Sequence, residues 1–444
     1  MSPGAGTHRL NFHNHKAYGL DFGNHGGTKK DSVLYLTRQE EAMIKGEYGE
    51  ASRLAMEILV KVGEACGAER MVEVARCHAM TAMAPDIHEA RIDLLEKFAS
   101  LGAHYSVPTT LDPASLDLER QREFRAPKSY CAKATKLLRL NDKLGAIPNY
   151  SCAPYQQGLA PSFGEFVSLT ESSYIVFSNS VIGARANRET QGIVVPASIT
   201  GRVPLYGLRI KENRLGGVLV KLNGLSHDSL DTSDYATIGY YIGAKLGHEI
   251  PVIDGFKRSL TTDQLKVLGA SAACKGCVAM FHIVGITPEA NTREEAFAGR
   301  KPRDTLEIDR DEIRRTRGEI STVSGGKIDA ILVGCPHYSI SEIKKLAVLL
   351  QRKRIDKRVK FFLYTSQEAK SLADRMGLTK AVESAGVYVS VGTCMTLSPM
   401  KYWGFETIMT DSPKTAYTSP VDMKVDVVFA SIEECVKAAI RGEA

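Results

Sequence analysis

The chain has 444 residues, 43% apolar and 24% charged, a length and composition that bury a large core in two or more lobes. Its net charge of +6 comes without a basic run interleaved with aromatics, which argues against nucleic acid as a partner. No signal-peptide core and no uncharged apolar stretch of about 18 residues is present, so neither export nor membrane insertion is expected and the protein reads as cytoplasmic.

Residues 1–32 read as a polar tail; the first 30 hold six glycines and four histidines. His8, His13, His15 and His25 have no acidic or cysteine ligand at a useful spacing. Residues 33–444 read as the folded region, helical over about 33–147 and built of α/β lobes over about 148–444. Thr37-x-x-Glu40 has the form of a capping box. A mostly apolar helix follows through Leu54, Leu59 and Val62, with Gly67 as its stop. Residues 76–84 suit a strand or loop close to a ligand, and 86–101 a second helix. In 172–188, Ser172, Ser178, Asn179, Ser180, Arg185, Asn187 and Arg188 interrupt what reads as an apolar strand. Either arginine suits a carboxylate clamp or a tie between helix and sheet.

The last hundred or so residues alternate strand and helix. Strands are expected over 328–334, 360–364, 386–391, 405–409 and 425–430, with helices between them. Such units make a doubly wound parallel sheet whose ligands bind beyond the carboxyl ends of the strands. Cys335, in Gly334-Cys335-Pro336-His337, and Cys394, in Gly392-Thr393-Cys394-Met395, both fall at that edge.

Nine cysteines in a long chain do not read as a disulfide framework. Three sit in separate tight turns: Cys335, Cys394, and Cys152 in Asn149-Tyr150-Ser151-Cys152-Ala153-Pro154. Converging thiolates suit an iron–sulfur cluster, which usually takes four, so three would leave one position open. Gaps of 183 and 59 residues do not show convergence, and buried inert thiols are the plainer reading of the spacing. Cys274-Lys275-Gly276-Cys277 has no second pair to complete a zinc site and follows a run of small residues, where a thioredoxin-like motif would follow a strand. His78, His282 and His337 are expected to be hydrogen-bonded core residues. His337 is the best candidate to support a metal ligand, two residues from Cys335.

The Cys152 segment, the stretch from Glu171 to Glu189, Phe281-His282-Ile283-Val284-Gly285, the Gly334–His337 segment and Thr410-Asp411-Ser412-Pro413-Lys414 follow one another in an order that resembles aconitase X. This is the dehydratase branch of the aconitase superfamily, and the similarity runs from about residue 33 to the C-terminus. The resemblance implies an aconitase-like α/β fold, with several lobes of parallel or mixed sheet around a cleft. It implies a hydro-lyase whose cluster, of [4Fe–4S], [3Fe–4S] or [2Fe–2S] type, is held by Cys152, Cys335 and Cys394. It also implies small residues at the positions of Cys274 and Cys277, which are expected to fill alanine- or serine-sized space, and a swivelling domain, expected here on a separate small subunit that brings the catalytic base.

Two chemistries occur in the family: dehydration of cis-3-hydroxy-L-proline and dehydration of 5-phosphomevalonate. Where the phosphomevalonate branch has Gly-Val-Ser and Asn-Pro at its substrate site, this chain has Thr81-Ala82-Met83 and Asp112-Pro113. Thr and Met remove a close backbone approach and a hydroxyl, and Asp adds a charge that repels phosphate and accepts from an ammonium. The expected substrate is therefore cis-3-hydroxy-L-proline, with Asp112 on its ammonium and Lys414 on its carboxylate. The alternatives are the phosphomevalonate reaction and a non-catalytic redox protein using Cys274 and Cys277.

Overall fold

In the computed structural model of the protein, residues 34–81, 88–117, 120–225, 230–256 and 260–444 are described. The expected tail over 1–32 lies outside them, as do Ala82 and Met83.

The first lobe starts with the expected capping box. Glu40 accepts from Thr37 N at 2.8 Å, and the Thr37 hydroxyl accepts from Glu40 N at 3.3 Å. Helices Arg38–Ile44 and Glu50–Ala65 follow, and the second packs Ala55, Met56 and Leu59 inward. Helices His88–Ser100 and Lys128–Lys143 pair with each other. The region is less purely helical than its sequence suggests. Strands Thr109–Leu111, Arg76–Ala79 and Val167–Leu169 form a small parallel sheet, and Met71–Glu73 pairs antiparallel with Arg202–Pro204.

The middle lobe is a four-stranded parallel sheet in the order His282–Ile283, Pro251–Asp254, Val218–Leu222, Asp304–Ile308. Helices Thr232–Leu246 and Thr262–Gly276 pack together through glycine. A Cβ on Gly239 would stand 2.1 Å from the Leu268 carbonyl oxygen, so no side chain fits there.

The last lobe is a five-stranded parallel sheet in the order Val387–Val391, Lys360–Thr365, Ala330–Tyr338, Thr407–Thr410, Asp426–Phe429. Its central strands are apolar on both faces: Leu332 and Phe362 pack into one core, Ile331, Val333 and Leu363 into another. Ser339 and Ser366 cap helices between the strands, and Ser431 caps the helix that follows the last one. The α/β class and the parallel sheets are as expected.

Two local expectations are corrected. The segment read as a strand is helix Ser172–Phe177 followed by a π-helical turn, Ser178–Ile182. Glu171 starts it, accepting from Ser173 N at 3.1 Å. Cys335 does not lie in a turn beyond its strand. It sits in a bulge inside Ala330–Tyr338, where pairing with Lys360–Thr365 stops at Val333 and resumes at Tyr338.

Candidate active site

Three segments deliver a cysteine each to one place. Cys152 comes off the edge of the small parallel sheet, where Ser151 N donates to the Leu111 carbonyl at 3.1 Å and Leu111 N to Asn149 Oδ1 at 2.8 Å. Cys335 is pushed out by the bulge. Gly334, with φ +105°, lies so close to the next strand that a Cβ would meet the Tyr364 carbonyl oxygen at 2.1 Å. Cys394 follows strand Val387–Val391, and its N–H donates to the Ala114 carbonyl at 2.7 Å. All three line one cavity, together with Pro113, Glu171, Ser173, His337 and Lys414.

His337 links the segments. Its backbone N–H donates to Cys152 Sγ at 3.0 Å, and its ring Nε2 donates to the Thr393 carbonyl, next to Cys394, at 2.8 Å. With Nε2 carrying the proton and burial pushing its pKa down to about 4, the ring is neutral. Cys335 Sγ stands 3.8 Å from Thr396 Oγ1.

Burial, then the neighbouring Glu171, drives the Cys152 thiol well above its ordinary range. Burial, then Cys335, pushes Cys394 up to about 12. These groups become thiolates when positive charge arrives beside them. No group of three His, Cys, Asp or Glu among the described residues is placed to hold a metal ion. Three cysteines around one cavity suit instead a cluster whose irons each take one thiolate, and the N–H···S bond from His337 suits such a ligand. The donor set fits an iron–sulfur cluster.

Opposite charges face the sulfurs. Lys414 lies in the first turn of helix Pro413–Asp422, its Nζ 3.3 Å from Glu171 Oε1 and 3.4 Å from Ser172 Oγ. Burial opposes the Lys414 charge, yet Glu171 and the surrounding thiols hold its pKa well above the usual lysine value. Burial likewise opposes the Glu171 charge, but Lys414 and Ser173 hold its carboxyl below the usual range. The sequence reading gave Glu171 no role, since its partner lies 243 residues away.

Of the expected substrate residues, Pro113 and Lys414 line the cavity. Thr81 and Asp112 are buried and joined, with Asp112 Oδ1 accepting from both the amide and the hydroxyl of Thr81. Arg185 and Arg188 reach the carbonyls of Arg209 and Ala273. His282 binds the Arg214 carbonyl through Nε2 at 2.7 Å, and His78 binds Thr110 through Nδ1 at 2.8 Å. Cys274 is half-buried, but Cys277 is exposed, against the expectation that both fill space inside. The helix ends at Gly276, and Cys277 turns outward with φ +64°.

Family models for the aconitase X first, second and third domains match residues 33–212, 216–318 and 328–441. The chain belongs to the aconitase X family. The phosphomevalonate dehydratase large subunit of Methanocaldococcus jannaschii is 34% identical over 407 residues, covering 91% of this chain and 100% of that protein. The cis-3-hydroxy-L-proline dehydratase of Pseudomonas aeruginosa is 34% identical over 406 residues, covering 91% of this chain and 69% of that enzyme. The crystal structure of Thermococcus kodakaraensis aconitase X in its holo form matches with a TM-score of 0.82 at 33% identity, covering 91% of this chain and 100% of that one. This aconitase X chain is thus a dehydratase-type enzyme, a hydro-lyase. Its cavity takes Cys152 from the first domain and Cys335 and Cys394 from the third.

Proposed function

We propose that the protein is the cluster-bearing large subunit of a hydro-lyase that converts cis-3-hydroxy-L-proline to Δ1-pyrroline-2-carboxylate. The charge of the cavity carries this reading. Lys414 is the one cation lining it among the described residues, and Glu171 stands beside it. A zwitterion replaces that single ion pair with two, its carboxylate on Lys414 and its ring ammonium on Glu171. 5-Phosphomevalonate would bring a phosphate and a carboxylate to one cation already next to an acid, a costly arrangement away from water. Glu171 thereby takes the role that the sequence reading gave to Asp112, which is occupied by Thr81.

Cys152, Cys335 and Cys394 would hold the iron–sulfur cluster, which when bound supplies a Lewis-acid position for the leaving hydroxyl. Lys414 and Glu171 orient the ring so that its hydroxylated face meets the cysteines. His337 keeps its Nε2 hydrogen on the Thr393 carbonyl, and burial disfavours its imidazolium, making it a weak base, so it is not assigned the C2 proton. That step is assigned to a small swivelling subunit, a reading supported by relatives named as large subunits. 5-Phosphomevalonate is the second reading, since identity is 34% to a relative of each kind and the M. jannaschii subunit is matched throughout.

The test is an anaerobic preparation of both subunits offered each substrate. Dehydration of cis-3-hydroxy-L-proline without turnover of 5-phosphomevalonate is expected; faster turnover of the phosphorylated acid would reverse the assignment. In the same preparation, serine at Cys152, Cys335 or Cys394 should abolish cluster absorbance and activity, because a hydroxyl is a poor substitute for a soft thiolate. Serine at Cys274 or Cys277 should leave both in place, and the opposite pattern would favour a redox protein.

A further inference from the structure

A buried ammonium stands behind the cysteines, outside the dehydration chemistry. Lys266, on helix Thr262–Gly276, is 1% exposed. Its Nζ is paired with Glu342 and lies 3.2 Å from Asp263 Oδ1, and it also donates to the His337 carbonyl at 3.1 Å. The two carboxylates more than offset its charge. The remaining bond goes to the residue that ties the cysteine segments together.

The acids are themselves fixed. Glu342 accepts from Ser339 N at 2.8 Å, and Asp263 Oδ2 accepts from Ser339 Oγ at 2.7 Å. A continuous chain of bonds therefore runs from the middle lobe through Lys266 and His337 to Cys152 Sγ and the Thr393 carbonyl. Glu342 and Ser339 also form the capping box of helix Ile340–Leu349, so the same anchor sets where the strand leaves the bulge.

We propose that Lys266 is a positioning residue for the iron–sulfur site, acting through His337. Held at its carbonyl, His337 keeps its N–H aimed at Cys152 and its ring on the Cys394 segment. This rests on reading Cys152, Cys335 and Cys394 as the ligands.

Lys266→Met alone would leave Asp263 and the more deeply buried Glu342 without their cation and endanger folding. The deciding variant is therefore Lys266→Met with Glu342→Gln, compared with Glu342→Gln alone, in which Lys266 keeps its bond to His337. Each is purified anaerobically with its cluster, and loss of visible absorbance is timed after addition of a chelator. Melting of the metal-free forms is followed in parallel. The double variant should lose its cluster at least about tenfold faster than Glu342→Gln, as expected when support of a metal ligand is removed. The two metal-free forms should melt together. Cluster lifetimes within twofold of each other would overturn the proposal. So would a double variant whose metal-free form melts well below that of Glu342→Gln, since Lys266 would then hold the lobe and not the site. A wild-type protein that takes up no cluster would sink the reading of the cysteines themselves, a result distinct from equal lifetimes.

Discussion

Lys414 and Glu171 each make the other's charge tolerable in a cavity that disfavours both. With the ammonium held high and the carboxyl held low, both stay charged from about pH 6 to 9, so this pair should add no limb to kcat/KM in that range. Lys414→Ala should raise KM through loss of a charge-assisted bond to the substrate carboxylate, at a cost of about 1.5–3 kcal/mol. It also removes the group that chiefly offsets the burial of Glu171, so that pKa should rise. As pH falls the variant's Glu171 then takes up a proton and releases the substrate ammonium, and kcat/KM should acquire an acid limb absent from the wild type. A flat profile in the variant would mean that Glu171 does not meet the substrate. Lys414 was legible in the sequence because it stands in a recognisable Asp-Ser-Pro-Lys segment. Glu171 was not, because nothing within its own helix turn signals a lysine 243 residues on.

The bulge that presents Cys335 is the element on which the site turns. Gly334→Ala would place a methyl against the Tyr364 carbonyl in a backbone conformation that alanine adopts poorly. Overpacking of this kind costs about 1–3 kcal/mol, so the variant's Tm should fall and its cluster content should drop with it. Full cluster occupancy in a variant with wild-type Tm would show that the bulge is not required. The sequence supported a turn here because Gly-Cys-Pro reads as the end of a strand. Tyr338 pairs again beyond the interruption, a long-range contact with no local trace. Local chemistry was decisive elsewhere. The capping box at Thr37 and the serine-led helices of the last lobe stand where side-chain caps dictate. At Ser172–Phe177 apolar character suggested a strand, and the Glu171 cap made a helix instead.

Across the whole molecule, the alternation of apolar runs with amphipathic helices was enough to read the parallel sheet of the last lobe. The meeting of Cys152 with the other two cysteines was not, because it depends on how the first lobe packs against the last. In the proposed site that meeting lets one cluster bind two lobes at once. A ligand that binds only the native arrangement stabilises it by mass action. Calorimetry should therefore show the metal-free protein melting at lower temperature and in a broader or divided transition, with the loaded protein melting in one. Identical traces would mean that the cluster does not bridge the lobes.

The separation of the cysteines also governs the life history of the protein. During synthesis Cys152 emerges long before Cys335 and Cys394 exist to join it, and a lone thiol offers iron no chelate. On the proposed ligand set, loading would follow folding, leaving a finished but empty acceptor until a cluster is delivered. The buried cavity suits that interval. Cys152 and Cys394, whose deprotonation burial disfavours, are slow to react with oxidants. An empty molecule can wait in reduced form for its metal.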